Sequence, residues 1–333
     1  MTDSNFEVRL IEALQPIRGF ALAQGIYHLF LSGIFDRLVS GTSTLQDLED
    51  SGAHRGRTAG FLRYLANEGL VLLQGDAVSL TSRGRELAEF RPWYELLIGG
   101  YAQTFQQITE TLRGGSYASR DGAMVGIGSC GISRYDALPL VRRLLANMPM
   151  SATQLIDLGC GDGTFLADLA RDYPGVHAIG IDPFAPLLSG SELLTFCRAS
   201  AVDYVRSLDP EGPVAGRPRR LFLAAFLLQE ILEQEGRADV VELVRNALRG
   251  DASLVVVEVD HRPADPSVMR HGLGLAYYNP YYLLHVLTEQ RLETTRFWLD
   301  LFEEAGAMVV ARQHVNPEVD STGLLFGCVL KSR

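Results

Sequence analysis

The stretch LIDLGCGDGTF, Leu155 to Phe165, sets three glycines at alternate positions directly after an apolar run with the composition of a buried strand. A residue without Cβ permits positive φ and lets the backbone approach a ligand closely. Gly159, Gly161 and Gly163 therefore predict a strand that turns sharply over a nucleotide-type ligand before a helix begins. A dinucleotide loop reads G-x-G-x-x-G. This one reads G-x-G-x-G, with Asp157 two residues before the first glycine and no basic residue inside it, which suits a cationic donor better than a pyrophosphate. Asp182, followed by Pro183 at the end of the next apolar run in IGIDP, is placed to accept ribose hydroxyls. Ala201 and Val202, in CRASAVDYV, fall where an adenine ring would lie.

Around this loop, candidate strands alternate with helical stretches: TQLIDLGCG, VHAIGID, LTFCRAS, RLFLAAFLL, SLVVVEVD and AMVVARQHV. That alternation predicts an α/β fold with a doubly wound parallel sheet. A seventh strand, TGLLFGCVLK, follows through a connection too short for a crossover helix and so should pair antiparallel. Upstream, residues 1 to about 40 have helical periodicity and an unusually wide apolar face through Phe20, Leu22, Ile26, Leu29, Phe30, Ile34 and Leu38, which predicts a partner surface. Two short helices, two strands around Gly75-Asp76 and a further helix read as a winged helix. The expected organisation is a helical and winged-helix dimerisation domain at 1–90, a helical connector and substrate cap at 91–150 containing the Gly-rich RDGAMVGIGSCGISRYD, and the donor-binding domain at 151–333.

Composition narrows the partners. The 333 residues are 47% hydrophobic and carry a formal charge of -10, a field that disfavours nucleic acid and anionic membrane surfaces. Arg55, Arg57 and Arg63 of the winged helix are accompanied by Asp47, Glu49, Asp50, Glu68 and Asp76, so no basic stripe forms. The four cysteines show neither zinc-ribbon nor disulfide spacing, no secretory leader is read at the start, and LFLAAFLL is too short to span a bilayer. A cytoplasmic enzyme acting on a small molecule, with no nucleic-acid or membrane partner, is the expectation.

Residues 150–333 resemble the class I S-adenosylmethionine-dependent methyltransferases, on the glycine loop, Asp157, Asp182, the strand order and the antiparallel tail. The N-terminal half resembles the dimerisation domain of small-molecule methyltransferases in biosynthetic pathways, which implies a homodimer. In open parallel sheets the acceptor sits beyond the strand C-termini. Those ends carry Gln229 and Glu230, then Glu258, Asp260 and His261, then His314 and Asp320. Methylation at carbon needs a base for the departing proton and stabilisation of an enolate. Glu230, His261 and His314 are the candidates, either directly or as ligands of a divalent metal such as zinc acting as a Lewis acid.

The tyrosine-rich AYYNPYYLLH places Tyr277, Tyr278, Tyr281 and Tyr282 near this face, with Asn279 expected to cap a helix. With VEVDHRP and HVNPEVD, this stretch resembles the 2-oxo acid C-methyltransferases, among them those acting on 5-guanidino-2-oxopentanoate (2-ketoarginine). The resemblance implies methylation of the β-carbon, giving a 3-methyl-2-oxo acid that a transaminase can convert to a β-methyl amino acid. Tyr278, Tyr282, Asp260 and Asp320 are the substrate-contact candidates, and Glu95, Asp260 or Asp320 could meet a guanidinium. A branched-chain or aromatic 2-oxo acid, O-methylation of a small phenol, and a regulator with a degenerate methyltransferase domain are the alternatives.

Overall fold

The computed structural model describes residues 5–41, 43–146, 152–187, 192–208 and 219–333. It divides into two compact units, Met1–Gly99 and Gly100–Arg333, so the stretch expected as a connector is shared between them, most of it lying in the unit that carries the large sheet.

The first unit begins with a single helix, Phe6–Leu31, that continues through Pro16. Its C-terminal end packs Ile26, Leu29 and Phe30 into a core with Phe35, Leu38, Leu62, Leu65 and Val78. Its first turns leave Phe6, Ile11, Leu14, Ile17 and Phe20 exposed. Helices Leu45–Asp50 and Arg55–Asn67 follow; the first is closed by reciprocal hydrogen bonds between Thr44 and Asp47. Strands β1 (Ser43–Thr44), β2 (Val71–Gln74) and β3 (Ala77–Leu80) form a small antiparallel sheet in the order β1-β3-β2. Arg55 is tied to Glu49 and Asp76 within this unit.

The second unit is built on seven strands: β4 (Gln154–Leu158), β5 (His177–Ile181), β6 (Leu194–Cys197), β7 (Arg220–Ala225), β8 (Ser253–Val259), β9 (Ala307–His314) and β10 (Leu325–Ser332). Their order is β6-β5-β4-β7-β8-β10-β9. The first five in sequence pair parallel, and β10 runs antiparallel between β8 and β9. Every residue of β8 is buried, as a strand covered on both faces requires. One face packs helices Ala201–Ser207, Arg237–Ala247 and Thr295–Glu304 around Phe222, Val256 and Trp298. The other packs Ala137–Ala146, Thr164–Ala170 and the tyrosine-rich segment. The order reverses between β4 and β7, which places the ligand crevice above Leu158 and Ala225. No helix among the described residues is long and apolar enough to cross a membrane.

Candidate active site

After β4 the chain turns through Gly159, Gly161 and Gly163 with φ of 75°, 53° and 80°. The Gly159 and Cys160 N–H groups donate to the Ile181 carbonyl at 2.7 and 3.1 Å, tying the turn to the end of β5. A Cβ on Gly159 would lie 2.9 Å from Leu227 Cδ1, and one on Gly163 would collide with the Phe196 ring. The turn thus needs glycine for both conformation and space. Asp182 accepts from the Gly161 N–H at 3.1 Å and from the Phe184 N–H at 2.8 Å. Burial raises its carboxyl above the usual range, against the pull of those two donors. Asp157 lies buried in β4, pushed up to about 8 by burial and then by the charge of Asp182. Two acids are therefore held close to one turn with ionisation resisted, and a cationic ligand is the partner that would relieve both. The side chains of Ala201 and Val202 are packed into the core, so only their main chain can face an adenine ring.

The Gly-rich segment is a helix, Gly122–Ser133, started by the Asp121 carboxylate accepting from the Met124 N–H at 3.0 Å. Its small residues let it lie against the glycine turn: a Cβ on Gly161 would meet Cys130 Sγ at 3.3 Å and Gly126 Cα at 3.9 Å.

Beyond β7, Phe226 takes φ of 57°, a left-handed conformation costly for an aromatic residue. Its N–H bonds to the Val257 carbonyl at 2.9 Å, and the bend starts helix Leu228–Gln234, which carries Gln229 and Glu230. Glu230 Oε1 meets Arg120 Nη1 at 2.9 Å and accepts from Gln290 Nε2 at 2.9 Å. Gln290 Oε1 in turn accepts from the Tyr101 hydroxyl at 2.9 Å. Burial works against the Arg120 charge, but Glu230 more than restores it. Glu230 is also near enough to Asp182 to raise that carboxyl, so this network borders the donor turn.

Behind Glu230 the site becomes buried and uncharged. His285 Nδ1 lies 2.8 Å from the Tyr281 carbonyl, which makes Nδ1 the protonated nitrogen and leaves Nε2 facing Gln229 Nε2 at 3.5 Å. Burial pushes His285 down to about 3. Glu258 is fully buried, accepts from the Leu228 N–H at 3.0 Å and is pushed up to about 8 by burial. Its Oε2 and Gln229 Oε1 have no hydrogen-bond partner among the described residues.

The remaining candidates divide. The Tyr278 hydroxyl donates to Asp320 Oδ2 at 2.6 Å, inside the protein. Tyr282 donates to the Asp260 carbonyl at 2.6 Å, while the Asp260 carboxylate accepts from the Thr295 N–H at 2.7 Å and faces Arg262 Nε at 3.0 Å. Those two residues shape the loop after β8. His261, on the same loop, stands edge-on to Tyr282 with ring centroids 4.9 Å apart, and burial lowers its basicity against the opposing charges of Glu293 and Asp260. His314 is exposed at the end of the edge strand β9, beside Phe326. Glu230, His261 and His314 are not gathered into one ligand set, and no group of three or more His, Cys, Asp or Glu among the described residues is arranged to hold a metal ion. Asn279 does not cap a helix: a π-helical turn, Gly274–Tyr278, runs directly into Asn279–Leu287. Gly274 makes this possible, since any Cβ there would collide with the Val268 carbonyl oxygen.

Arg120, Tyr101, Gln290 and His285 are site groups that the sequence alone does not single out. Arg120 does carry a signal, as it stands just before the small and apolar Gly-rich helix.

No family model matches the chain. The chain is 63% identical to the 2-ketoarginine methyltransferase of Streptomyces arginensis across 99% of this chain and 98% of that protein. It is 30% identical to the indolepyruvate C-methyltransferase of Streptomyces griseus across 90% of this chain and 89% of that protein. Among solved structures it resembles LaPhzM, with a TM-score of 0.67 at 16% identity, covering 96% of this chain and 98% of that one. It also resembles human N-acetylserotonin methyltransferase in complex with SAM, with a TM-score of 0.65 at 15% identity and both chains fully covered. At those identities the two structures speak to the fold alone.

Proposed function

The chain belongs to the family of the Streptomyces 2-oxo acid C-methyltransferases, and from that premise we propose that it methylates the β-carbon of 2-ketoarginine using S-adenosyl-L-methionine. The observation that carries this reading is Glu230, a carboxylate close to Asp182 on the donor side and paired with Arg120 on the acceptor side. When bound, S-adenosyl-L-methionine supplies an electrophilic methyl group whose bond to sulfur breaks, with the electron pair leaving on sulfur, as the new carbon–carbon bond forms.

The residues divide the remaining work. Arg120 takes the carboxylate of the 2-oxo acid, and in changing partner it frees Glu230. Glu230, held by Gln290, removes a proton from the β-carbon. Tyr281, whose ionisation burial raises well above the ordinary phenol range, stays protonated at neutral pH and donates to the enolate oxygen. Exclusion of water by the buried Gln229, Tyr281 and His285 strengthens each of these contacts.

The test is incubation with methyl-labelled S-adenosyl-L-methionine and a panel of 2-oxo acids and phenols, followed by NMR location of the label. Label on the β-carbon is the expected result; label on oxygen alone overturns the reading. We also propose that helix Phe6–Leu31 pairs with its copy in a homodimer through the exposed Ile11, Leu14, Ile17 and Phe20. Sedimentation should find twice the chain mass, and Leu14→Glu with Ile17→Glu should shift it to a monomer. A wild-type monomer at micromolar concentration overturns the dimer.

A further inference from the structure

Four segments of the second unit meet at Glu230, and a backbone bond ties each to a neighbour beside the residue it contributes. The Asp121 N–H donates to the Gly100 carbonyl at 2.8 Å, next to Arg120 and Tyr101. The Arg291 N–H donates to the Gln229 carbonyl at 2.9 Å, next to Gln290 and Glu230. The Ala118 N–H donates to the Leu287 carbonyl at 2.8 Å, which joins the Arg120 segment to the one that carries Gln290. The main chain therefore sets where these side chains stand, and their own hydrogen bonds settle how they are turned.

Those bonds can run in one direction only. A carboxylate paired with an arginine accepts and does not donate, so the Gln290 amide must turn Nε2 toward Glu230, as it does at 2.9 Å. Gln290 Oε1 then faces the Tyr101 hydroxyl, whose single proton is committed to it at 2.9 Å. Tyr101 and Gln290 are both buried, so water cannot replace either partner. Thr288 Oγ1 also lies 3.2 Å from Gln290 Oε1, but its one proton has a nearer acceptor in the Leu284 carbonyl at 2.9 Å. At the other end, Glu230 Oε1 receives Gln290 Nε2 and Arg120 Nη1, both at 2.9 Å. Glu230 Oε2 accepts no hydrogen bond among the described residues, and the side chain is partly open to solvent.

From this one-way arrangement we infer that Tyr101 is a positioning residue that acts through Gln290, occupying Oε1 of Glu230 and leaving Oε2 as the oxygen that takes the proton. The inference rests on the proposed C-methylation of a 2-oxo acid and adds to it the residue that fixes which oxygen of the base meets the substrate. The β-proton passes to Oε2 while the C–H electron pair stays on the substrate as its enolate. Oε1 keeps the Gln290 N–H even after Arg120 has turned to the substrate carboxylate, so it is not the oxygen that receives the proton.

The experiment compares wild type with Tyr101→Phe, Gln290→Leu and Thr288→Val. Two signals are read. One is exchange of the substrate β-protons in heavy water with S-adenosyl-L-homocysteine in the donor site. The other is the Glu230 carboxyl resonance in protein with glutamate isotopically labelled at Cδ, identified by its absence in Glu230→Gln. Tyr101→Phe should lower exchange and kcat by about 10- to 100-fold, with KM within about threefold of wild type. Gln290→Leu should lose at least as much, and Thr288→Val less than about threefold. The first two should displace the Glu230 resonance, and Thr288→Val should leave it in place. Undiminished exchange in Tyr101→Phe, a loss that falls on KM alone, or an equal loss in Thr288→Val overturns the inference. The resonance separates this from failure of the parent reading. If wild type neither methylates nor exchanges any 2-oxo acid, displacement by Tyr101→Phe and not by Thr288→Val still supports the positioning role. An unmoved resonance in Tyr101→Phe overturns it.

Discussion

The proposed donor turn and the proposed acceptor side are assembled differently. The donor side is local: Asp157 lies on β4, the three glycines follow that strand and Asp182 follows its neighbour β5, and backbone bonds connect the turn directly to the end of β5. The acceptor side is collected from across the second unit. Arg120 precedes the Gly-rich helix, Glu230 follows β7, and Gln290 and Tyr281 come from the segment between β8 and β9. Backbone geometry governs the first, so its residues have few substitutes. Side-chain charge governs the second, so one exchange can alter chemistry and leave binding of the donor untouched.

Glu230→Gln is the sharpest way to break that distinction. The amide keeps an acceptor for Arg120 and Gln290 but cannot take a proton, so kcat should fall by about 10²- to 10⁴-fold. Calorimetric affinity for S-adenosyl-L-methionine should stay within about twofold of wild type, as the glycine turn and Asp182 do not depend on this proton. A comparable loss in donor affinity would mean that the two sides are one structural unit. Full activity would remove Glu230 as the base.

Gly163→Ala probes the other side. The new Cβ would strike the Phe196 ring at a residue with φ of 80°, and relief requires the turn to shift. Donor affinity should weaken by about 10- to 100-fold, the equivalent of strain of about 1–3 kcal/mol. Unaltered donor affinity would show that the turn does not hold the donor.

The same distinction explains what the sequence disclosed. The strand, the alternate glycines and Asp182 are legible because a short window contains both the residues and the bonds they make. The sheet is legible because each strand is an apolar run bounded by polar residues, including the antiparallel β10. Arg120 is hidden because its meaning depends on what lies opposite it, and Glu230 is far away along the chain. Asp260 and Tyr282 had the right chemistry in the right segment, but Arg262 and the start of helix Thr295–Glu304 occupy the one, and the carbonyl of Asp260 itself the other. The tyrosine segment was legible as apolar and aromatic; its π-helical entry was not, since that follows from the close approach of Gly274 to Val268.

The smallest effect concerns Glu258, which lies directly behind the acceptor side and should act on stability. Burial pushes its carboxyl up to about 8, far above the value near 4.3 of an unfolded glutamate. The folded protein therefore keeps a proton that the unfolded chain has lost. This contribution to stability is full below the unfolded pKa and declines as pH rises toward 8. Asp136 and Asp157, pushed up to about 7 and about 8, act in the same direction. His285, pushed down to about 3, acts oppositely, but only below the pKa near 6.5 of an unfolded histidine. Between pH 6.5 and 8 the acids alone set the slope. Glu258→Gln keeps an oxygen for the Leu228 N–H and has no proton to lose, so the slope of unfolding free energy against pH should flatten by up to about 1.4 kcal/mol per pH unit. Denaturant melts at several pH values measure this directly. An unchanged slope would mean that Glu258 is ionised in the folded protein, its charge met by a partner, and the space behind Glu230 would then be charged.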